Sequence, residues 1–415
     1  MVRVQLPQMP WYGDEQVELS FPSSWEVHVL RMKGDDAPPI GDDQIREALS
    51  QPIGSERIKD IARGKRDVAI LFDDLTRPTK AFELVPYVLE ELREAGISDS
   101  NIRFICALGT HGAMNRIALE KKLGKEVLER FCVYNHNPYE NCTFLGYTSQ
   151  QIPVAINTEF MNCDVKIGIG CIVPHRINGF GGGGKIINPG IAGIDTIEAT
   201  HSVVKQYLTS PALDVIMEAG KYEESLLRPQ VEEITRMSGL QVKLDALVNT
   251  KRETTALFVG DPVEEHHHAV NKVAKEHYAT PMVDSPDIII ANAYSEASEN
   301  IKALGVTAKL ANKEDTTIVI ISMFPEGQVT HYLMRSFGHN IGGRLYTPKT
   351  ALPKNVKKLF VLSPYISMAD ADWFGPYQEI IWCRHWGEVL EQLQKSYPGK
   401  AKVAVVKDAT IQYFV

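Results

Sequence analysis

The sequence predicts two α/β domains with mainly parallel sheets and an active site in the cleft between them. Three observations carry this expectation. The chain has 415 residues, well beyond the length at which a single hydrophobic core usually stops growing. Short apolar runs of strand length alternate with amphipathic helical stretches, which is the pattern of βα units. That alternation stops once and begins again near Pro286. The boundary is placed at 280, giving domains over residues 1–280 and 281–415.

The opening segment, with VRVQL and WEVHVL, alternates as strands do and reads as a β-rich edge. VAILF (68–72) is the first buried-strand candidate, followed by the polar loop DDLTRPTK and the amphipathic helix FELVPYVLEELREAG, which ends at Gly96. IRFICAL repeats the pattern, leading into GTHGAM and a helical stretch around IALEKKLG. A third run, CDVKIGIGC, precedes the loop IVPHRINGFGGGGKIINPGIAG and the helical TIEATHSVVKQYL. In open parallel sheets ligands sit beyond the carboxyl ends of the strands, so these three glycine-bearing loops are expected to converge. Residues 220–285 read as long helical pieces, including DPVEEHHHAVNKVAKEH. The second series consists of DIIIANAY, TTIVIIS, KLFVLS and KVAVVKD, with SENIKALGVTAKLANK and HWGEVLEQLQKSY as helices between.

Composition narrows the function. With 44% hydrophobic and 23% charged residues the chain has an ordinary globular make-up, so disorder is not expected over most of it. A formal net charge of −8 gives no general reason to bind nucleic acid or an anionic membrane, and small-molecule chemistry is favoured. No run approaches about 18 consecutive apolar residues, and the N-terminus has no apolar signal-peptide core; a cytoplasmic location is expected. The six cysteines form no C-x-x-C pair and are expected to be buried, reduced thiols.

Gly179, Gly184 and Lys185 match the G-x-x-x-x-G-K core of a phosphate-cradling loop. Ile186 follows where a Mg²⁺-binding Ser or Thr is needed, and Asn188-Pro189-Gly190 signals a turn where a helix is needed, so a nucleotide triphosphatase is disfavoured. Asp73, Asp74, Arg77 and Lys80 follow the first strand, and an arginine there suits a carboxylate or phosphate. His111 follows Gly109-Thr110, and the third loop and its helix add His175, Lys185 and His201. Histidines on two sides of a substrate can exchange protons with either face, which suits a racemase; a histidine can also bind a metal, and an accessible lysine can carry a covalent cofactor. Spacing alone leaves open which histidine does which. His266-His267-His268 cannot converge on one ion from successive helical positions and reads as a solvated face. Trp373 is a candidate pocket cover or a core residue.

Taken together, DDLTRP, GTHGAM, PHRINGFGGGGK and the histidine of EATHSVV resemble, in order and spacing, the nickel-pincer-nucleotide-dependent lactate racemase family. The resemblance implies an N-terminal cofactor-binding and catalytic domain and a C-terminal domain contributing substrate contacts. It implies that the cofactor, a nickel complex of pyridinium-3,5-bisthiocarboxylic acid mononucleotide, is attached through a thioamide to Lys185. His201 would ligate nickel and His111 and His175 would be the paired acid and base. Asp74, Thr110, Gly181, Gly182, Gly183 and Gly184 would line the cofactor, and Arg77 and Lys302 would hold the substrate carboxylate. The implied reaction takes hydride from a 2-hydroxy acid and returns it to the opposite face. The implied partners are the 2-hydroxy acid and the proteins that synthesise the cofactor and insert nickel. The chain departs from the family where lactate racemases carry Tyr-Gln before the lysine: here Ser298 and Glu299 precede Lys302. That departure points away from lactate, toward a larger or hydroxylated acid. The alternatives are a sugar-acid epimerase on the same cofactor and a non-catalytic nucleotide- or phosphate-binding protein.

Overall fold

The computed structural model describes residues 1–205, 218–311, 315–334, 343–345 and 352–415. The chain divides into two compact units, residues 36–276 and residues 1–35 with 277–415. Twelve strands build the two main sheets: β1 (Glu26–Leu30), β2 (Val68–Phe72), β3 (Ile102–Cys106), β4 (Cys132–Asn135), β5 (Val165–Cys171), β6 (Val242–Val248), β7 (Thr254–Gly260), β8 (Ile288–Asn292), β9 (Thr316–Ile321), β10 (Val356–Leu362), β11 (Ile380–Cys383) and β12 (Lys402–Val406).

In the unit of residues 36–276 the sheet order is β7-β6-β5-β2-β3-β4, parallel except for the antiparallel β6–β7 pair. All five residues of β2 are buried, as a central strand covered on both faces requires. Helices α1 (Ala81–Glu94) and α2 (Ile194–Lys205) follow β2 and β5 as the periodicity predicts, the final Gln206–Leu208 of the expected second helix lying outside the described residues. Gly96 ends α1 at φ +84°, with its amide and that of Ile97 closing onto Arg93 and Leu92 carbonyls. Two further helices, α3 (Arg228–Ser238) and α4 (Glu264–Ala269), flank β6 and β7.

The helical pieces expected within 220–285 are present as α3 and as the helical run from Glu264 to Tyr278 that α4 opens, but two strands not expected there, β6 and β7, lie between them and complete the sheet. VKLDALV hides its strand because it carries two charges. Lys243 and Asp245 are both buried and neutralise each other, with Nζ to Oδ1 at 2.5 Å. Removing either partner of such a pair strands a buried charge, at a cost of about 3–5 kcal/mol.

In the other unit the sheet is parallel throughout, ordered β11-β10-β9-β8-β12-β1. Every residue of β8 and β9 is buried. Helix α5 (Ile301–Thr307) packs on one face against Ile289, Ile318 and Leu359, and α6 (Trp386–Ser396) on the other against Ile290, Val319 and Phe360. The described part of the expected helix from Ser298 is therefore shorter than its sequence suggests, and residues 312–314 lie outside the described set. The first 35 residues, assigned by the linear split to the N-terminal domain, belong to this unit because β1 pairs with β12, Glu26 to Leu30 alongside Lys402 to Val406.

Candidate functional site

Strands β5, β2 and β3 are parallel neighbours, so the loops after their carboxyl ends emerge side by side. The first loop is pinned by charge. Fully buried Lys122 meets Asp73 Oδ1 at 2.6 Å and donates to the Arg77 carbonyl at 3.0 Å, while Thr79 donates to Asp73 Oδ2 at 2.7 Å. Asp74 is buried, and its Oδ1 accepts from the Thr76 amide at 2.9 Å and from the Thr76 hydroxyl. Arg77 Nη1 turns back onto the Thr76 carbonyl at 3.1 Å.

His111 joins the first two loops, its Nδ1 lying 2.7 Å from Asp74 Oδ2. A carboxylate only accepts, so Nδ1 carries the proton and Nε2 keeps its lone pair in the neutral ring. Burial alone would raise the Asp74 carboxyl; the charge and hydrogen bond of His111, with Arg77 and Thr76, outweigh it and hold it at about 2. Thr110 is buried in the same turn. The Gly109 amide donates to the Gly190 carbonyl at 2.9 Å, and the Gly190 amide to Lys185 O at 3.2 Å, so the His111 loop is tied to the Lys185 loop.

His175 lies on a two-residue hairpin, Pro174–His175 against Gly179–Phe180. Its Nδ1 accepts from the amides of Ile177 (3.1 Å) and Asn178 (3.3 Å), which leaves the proton of the neutral ring on Nε2. The two histidines thus present opposite functions at Nε2, an acceptor on His111 and a donor on His175.

Residues 183–186 form a single 3₁₀ turn and the next helix starts only at Ile194, so no phosphate-loop helix follows Lys185. The glycines are demanded by the protein around them. A Cβ on Gly182, at φ +81°, would stand 2.7 Å from Ile172 Cγ1 and 3.0 Å from the Cys171 carbonyl; on Gly183, at φ +55°, it would stand 2.7 Å from the His266 ring; on Gly184, 2.1 Å from Thr235 Oγ1. Asp245 Oδ2 accepts from the Gly183 amide at 2.6 Å, Arg228 donates to the Phe180 carbonyl, and His266 Nε2 donates to the Gly181 carbonyl at 2.7 Å. Gly182→Ala is expected to destabilise the unloaded chain by about 1–3 kcal/mol, through both the left-handed φ and the clash, read as a lower denaturation midpoint.

His201 lies on α2, one turn after Ile197, whose carbonyl its Nδ1 contacts at 2.8 Å. Nδ1 is therefore the donor and Nε2 carries the free lone pair that a metal needs. Burial first, and the nearby Lys185 ammonium second, push the ring down to about 4, so it is neutral at pH 7. Among the described residues no group of three or more His, Cys, Asp or Glu side chains is arranged to hold a metal ion.

Ser298 and Glu299, in the turn after β8, and Lys302, on α5, belong to the other unit. Lys302 Nζ meets Glu299 Oε2 at 2.5 Å and fully buried Glu296 Oε2 at 2.9 Å. Ser298 is buried, and its hydroxyl has no hydrogen-bond partner among the described residues. Asp408 shapes the turn by accepting from the Ser295 amide at 3.0 Å, and Thr410 by accepting from that of Glu296 at 3.1 Å. Trp373 is buried beside His331, ring centroids 6.2 Å apart.

Two expectations fail outside these loops. His266 is not a solvated helix residue: it is buried, its Nδ1 accepts from Tyr222 at 3.0 Å and its Nε2–H serves Gly181, because the glycine run leaves a space that only a ring fills. Cys132 is exposed and Cys142 partly so, since they start the edge strand β4 and a separate hairpin; the other four thiols are buried, and none of the six is in a disulfide. Asp245, Glu265, Arg228 and Glu296 were not singled out by the sequence. The adjacent acidic and imidazole side chains of Glu265-His266 were the one available signal.

Comparison with known proteins bears out the family resemblance. Residues 12–210 match the lactate racemase N-terminal domain. The chain is 26% identical over 329 residues to a lactate racemase of Thermoanaerobacterium thermosaccharolyticum, spanning 78% of this chain and 74% of that one. It is 27% identical over 288 residues to a lactate racemase of Lactiplantibacillus plantarum, spanning 68% and 66% respectively. In fold it is similar to the lactate racemase apoprotein of T. thermosaccharolyticum, with TM-score 0.72 and 20% identity over the full length of both chains. A Thermotoga maritima protein follows with TM-score 0.64 and 16% identity, covering 92% of this chain and 100% of that one.

Proposed function

From a chain whose residues 12–210 match the lactate racemase N-terminal domain, we propose a racemase or epimerase of a 2-hydroxy acid, an isomerase that uses a nickel-pincer nucleotide attached to Lys185. The observation that carries this reading is the pairing of Lys185 with His201: a lysine amine beside a neutral imidazole whose outward nitrogen is free to ligate. These residues fit the group in charge as well. An ammonium next to a metal cation is repulsive, and conversion of Lys185 to an amide-type linkage removes that charge. When bound, the cofactor supplies a reversible acceptor for the α-hydrogen of the substrate as hydride.

The remaining steps fall to this chain's own side chains. His111, with Nδ1–H held by Asp74, takes the substrate hydroxyl proton at Nε2, and the carboxylate stabilises the imidazolium that forms. His175 faces the substrate oxygen from the opposite side; its imidazolium form gives the Nε2 proton when hydride returns to the other face, leaving the neutral ring, and exchange with solvent then removes the proton held by His111 and restores that of His175. Arg77 supplies the guanidinium for the substrate carboxylate. Lys302 is less suited to that role, because Glu296 and Glu299 already neutralise it; with the Ser298 hydroxyl this group favours substrate hydroxyls over a second anion. The substrate class that follows is a hydroxylated or longer 2-hydroxy acid, with a sugar acid as one form of it.

The test is mass spectrometry of the Lys185 peptide together with nickel content, on protein produced alongside cofactor-synthesis and nickel-insertion proteins. A Lys185 adduct with near-stoichiometric nickel, and faster loss of optical purity from polyhydroxylated acids than from lactate, is expected. An unmodified lysine, in a system that loads a control racemase, rejects the cofactor reading; faster turnover of lactate rejects the substrate reading.

A further inference from the structure

Behind the Lys185 turn lies a buried polar cluster to which the reaction above assigns no role. Asp245 and Glu265 are both fully buried. Asp245 has its partners: Lys243 Nζ at Oδ1, 2.5 Å away, and the Gly183 amide at Oδ2, 2.6 Å away. Neither Glu265 oxygen receives a hydrogen bond from any N–H or O–H among the described residues, and its side chain lies in hydrogen-bonding contact with Asp245. An ionised carboxylate without a donor, facing another carboxylate in a dry interior, is strongly unfavourable; a neutral acid that donates its own proton to its neighbour is not.

We propose that Glu265 is a positioning residue, a carboxylic acid whose O–H donates to Asp245 and so aims the Asp245 carboxylate at the Gly183 amide, two residues before Lys185. His266, next in sequence, closes the same clamp by donating to the Gly181 carbonyl and filling the space over Gly183. Helix α4 thereby holds the lysine-bearing turn with two consecutive side chains. The charged and titratable groups facing the pair include Lys243 on β6, Asp261 before α4, Arg228 on α3, Tyr222 and His266 itself. Burial, followed by the Asp245 charge, keeps the Glu265 carboxyl well above its ordinary 4.5. The role in presenting Lys185 rests on the cofactor reading; the shared proton does not.

The test uses the unloaded full chain, so its failure is distinct from failure of the cofactor reading. A carboxyl raised in the folded state favours folding fully below its unfolded value near 4.5 and loses that contribution as pH rises toward the folded value. Glu265→Gln keeps a donor for Asp245 and cannot ionise. Its melting temperature relative to wild type is therefore expected to climb by on the order of 5–10 °C between about pH 5 and pH 8. A flat or falling difference overturns the proposal. Hydrogen exchange of the peptide spanning 179–190 is expected to be unchanged in Glu265→Gln and at least about tenfold faster in Glu265→Leu. Wild-type protection in Glu265→Leu, or equal loss in both variants, also overturns it. Should Glu265→Leu fail to fold, the pH dependence of the Gln variant decides alone.

Discussion

Asp74→Asn in the loaded enzyme is expected to lower kcat by about 10²–10⁴-fold with little change in KM. The geometry behind this is the 2.7 Å contact to His111 Nδ1. A carboxylate obliges Nδ1 to carry the proton and leaves Nε2 basic; an asparagine amide can donate to Nδ1 and so hold the opposite tautomer, with no lone pair toward the substrate. Asn also withdraws the charge that stabilises His111 once protonated. The effect is expected across the working pH range, because the Asp74 carboxyl is held at about 2 and stays ionised throughout. The corresponding stability is complete above the ordinary 3.8 and is lost as pH falls through about 2, so wild type is expected to show an acid limb that the Asn variant lacks. Racemisation rates and acid denaturation of the two proteins check both halves; wild-type kcat in the Asn variant removes His111 as the base.

His201→Ala is expected to reduce nickel to less than about a tenth of the wild-type content while the Lys185 adduct persists, whereas Lys185→Ala loses both. The distinction follows from the two roles. On the proposed reading Lys185 would provide the covalent attachment and His201 an imidazole nitrogen kept unprotonated by burial. Its Nδ1–H bond to the Ile197 carbonyl, within α2, occupies Nδ1 and leaves the lone pair of the neutral ring on Nε2. Metal analysis and intact mass on the same samples separate the two functions. Wild-type nickel in His201→Ala would assign the metal contact to another residue.

What the sequence determined by itself was whatever depends on nearest neighbours along the chain. The apolar runs within VAILF, IRFICAL, DIIIANAY and TTIVIIS suit strands largely buried on both faces, and each run lies in a strand. Ile186 and Pro189 excluded a phosphate-loop helix for reasons of local backbone and hydroxyl chemistry, and a single 3₁₀ turn stands there. The motifs DDLTRP, GTHGAM and PHRINGFGGGGK were legible because each combines turn residues with reactive side chains within a few positions.

Only the tertiary structure decided what depends on groups far apart in the chain. The tautomer of His111 is set by Asp74, 37 residues away. VKLDALV became a core strand because Lys243 and Asp245 neutralise each other, and a hydropathy pattern counts both as exposed. His266 looked like one of three solvated imidazoles until the missing side chains of the glycine run, some 80 positions earlier, supplied the cavity that takes its ring. Lys302 reads in the sequence as a candidate for holding a substrate carboxylate, and the fold sets Glu296 and Glu299 against it. In each case charge or shape is completed by a distant partner, and burial makes that partner decisive, because an uncompensated polar group costs far more inside the fold than in water.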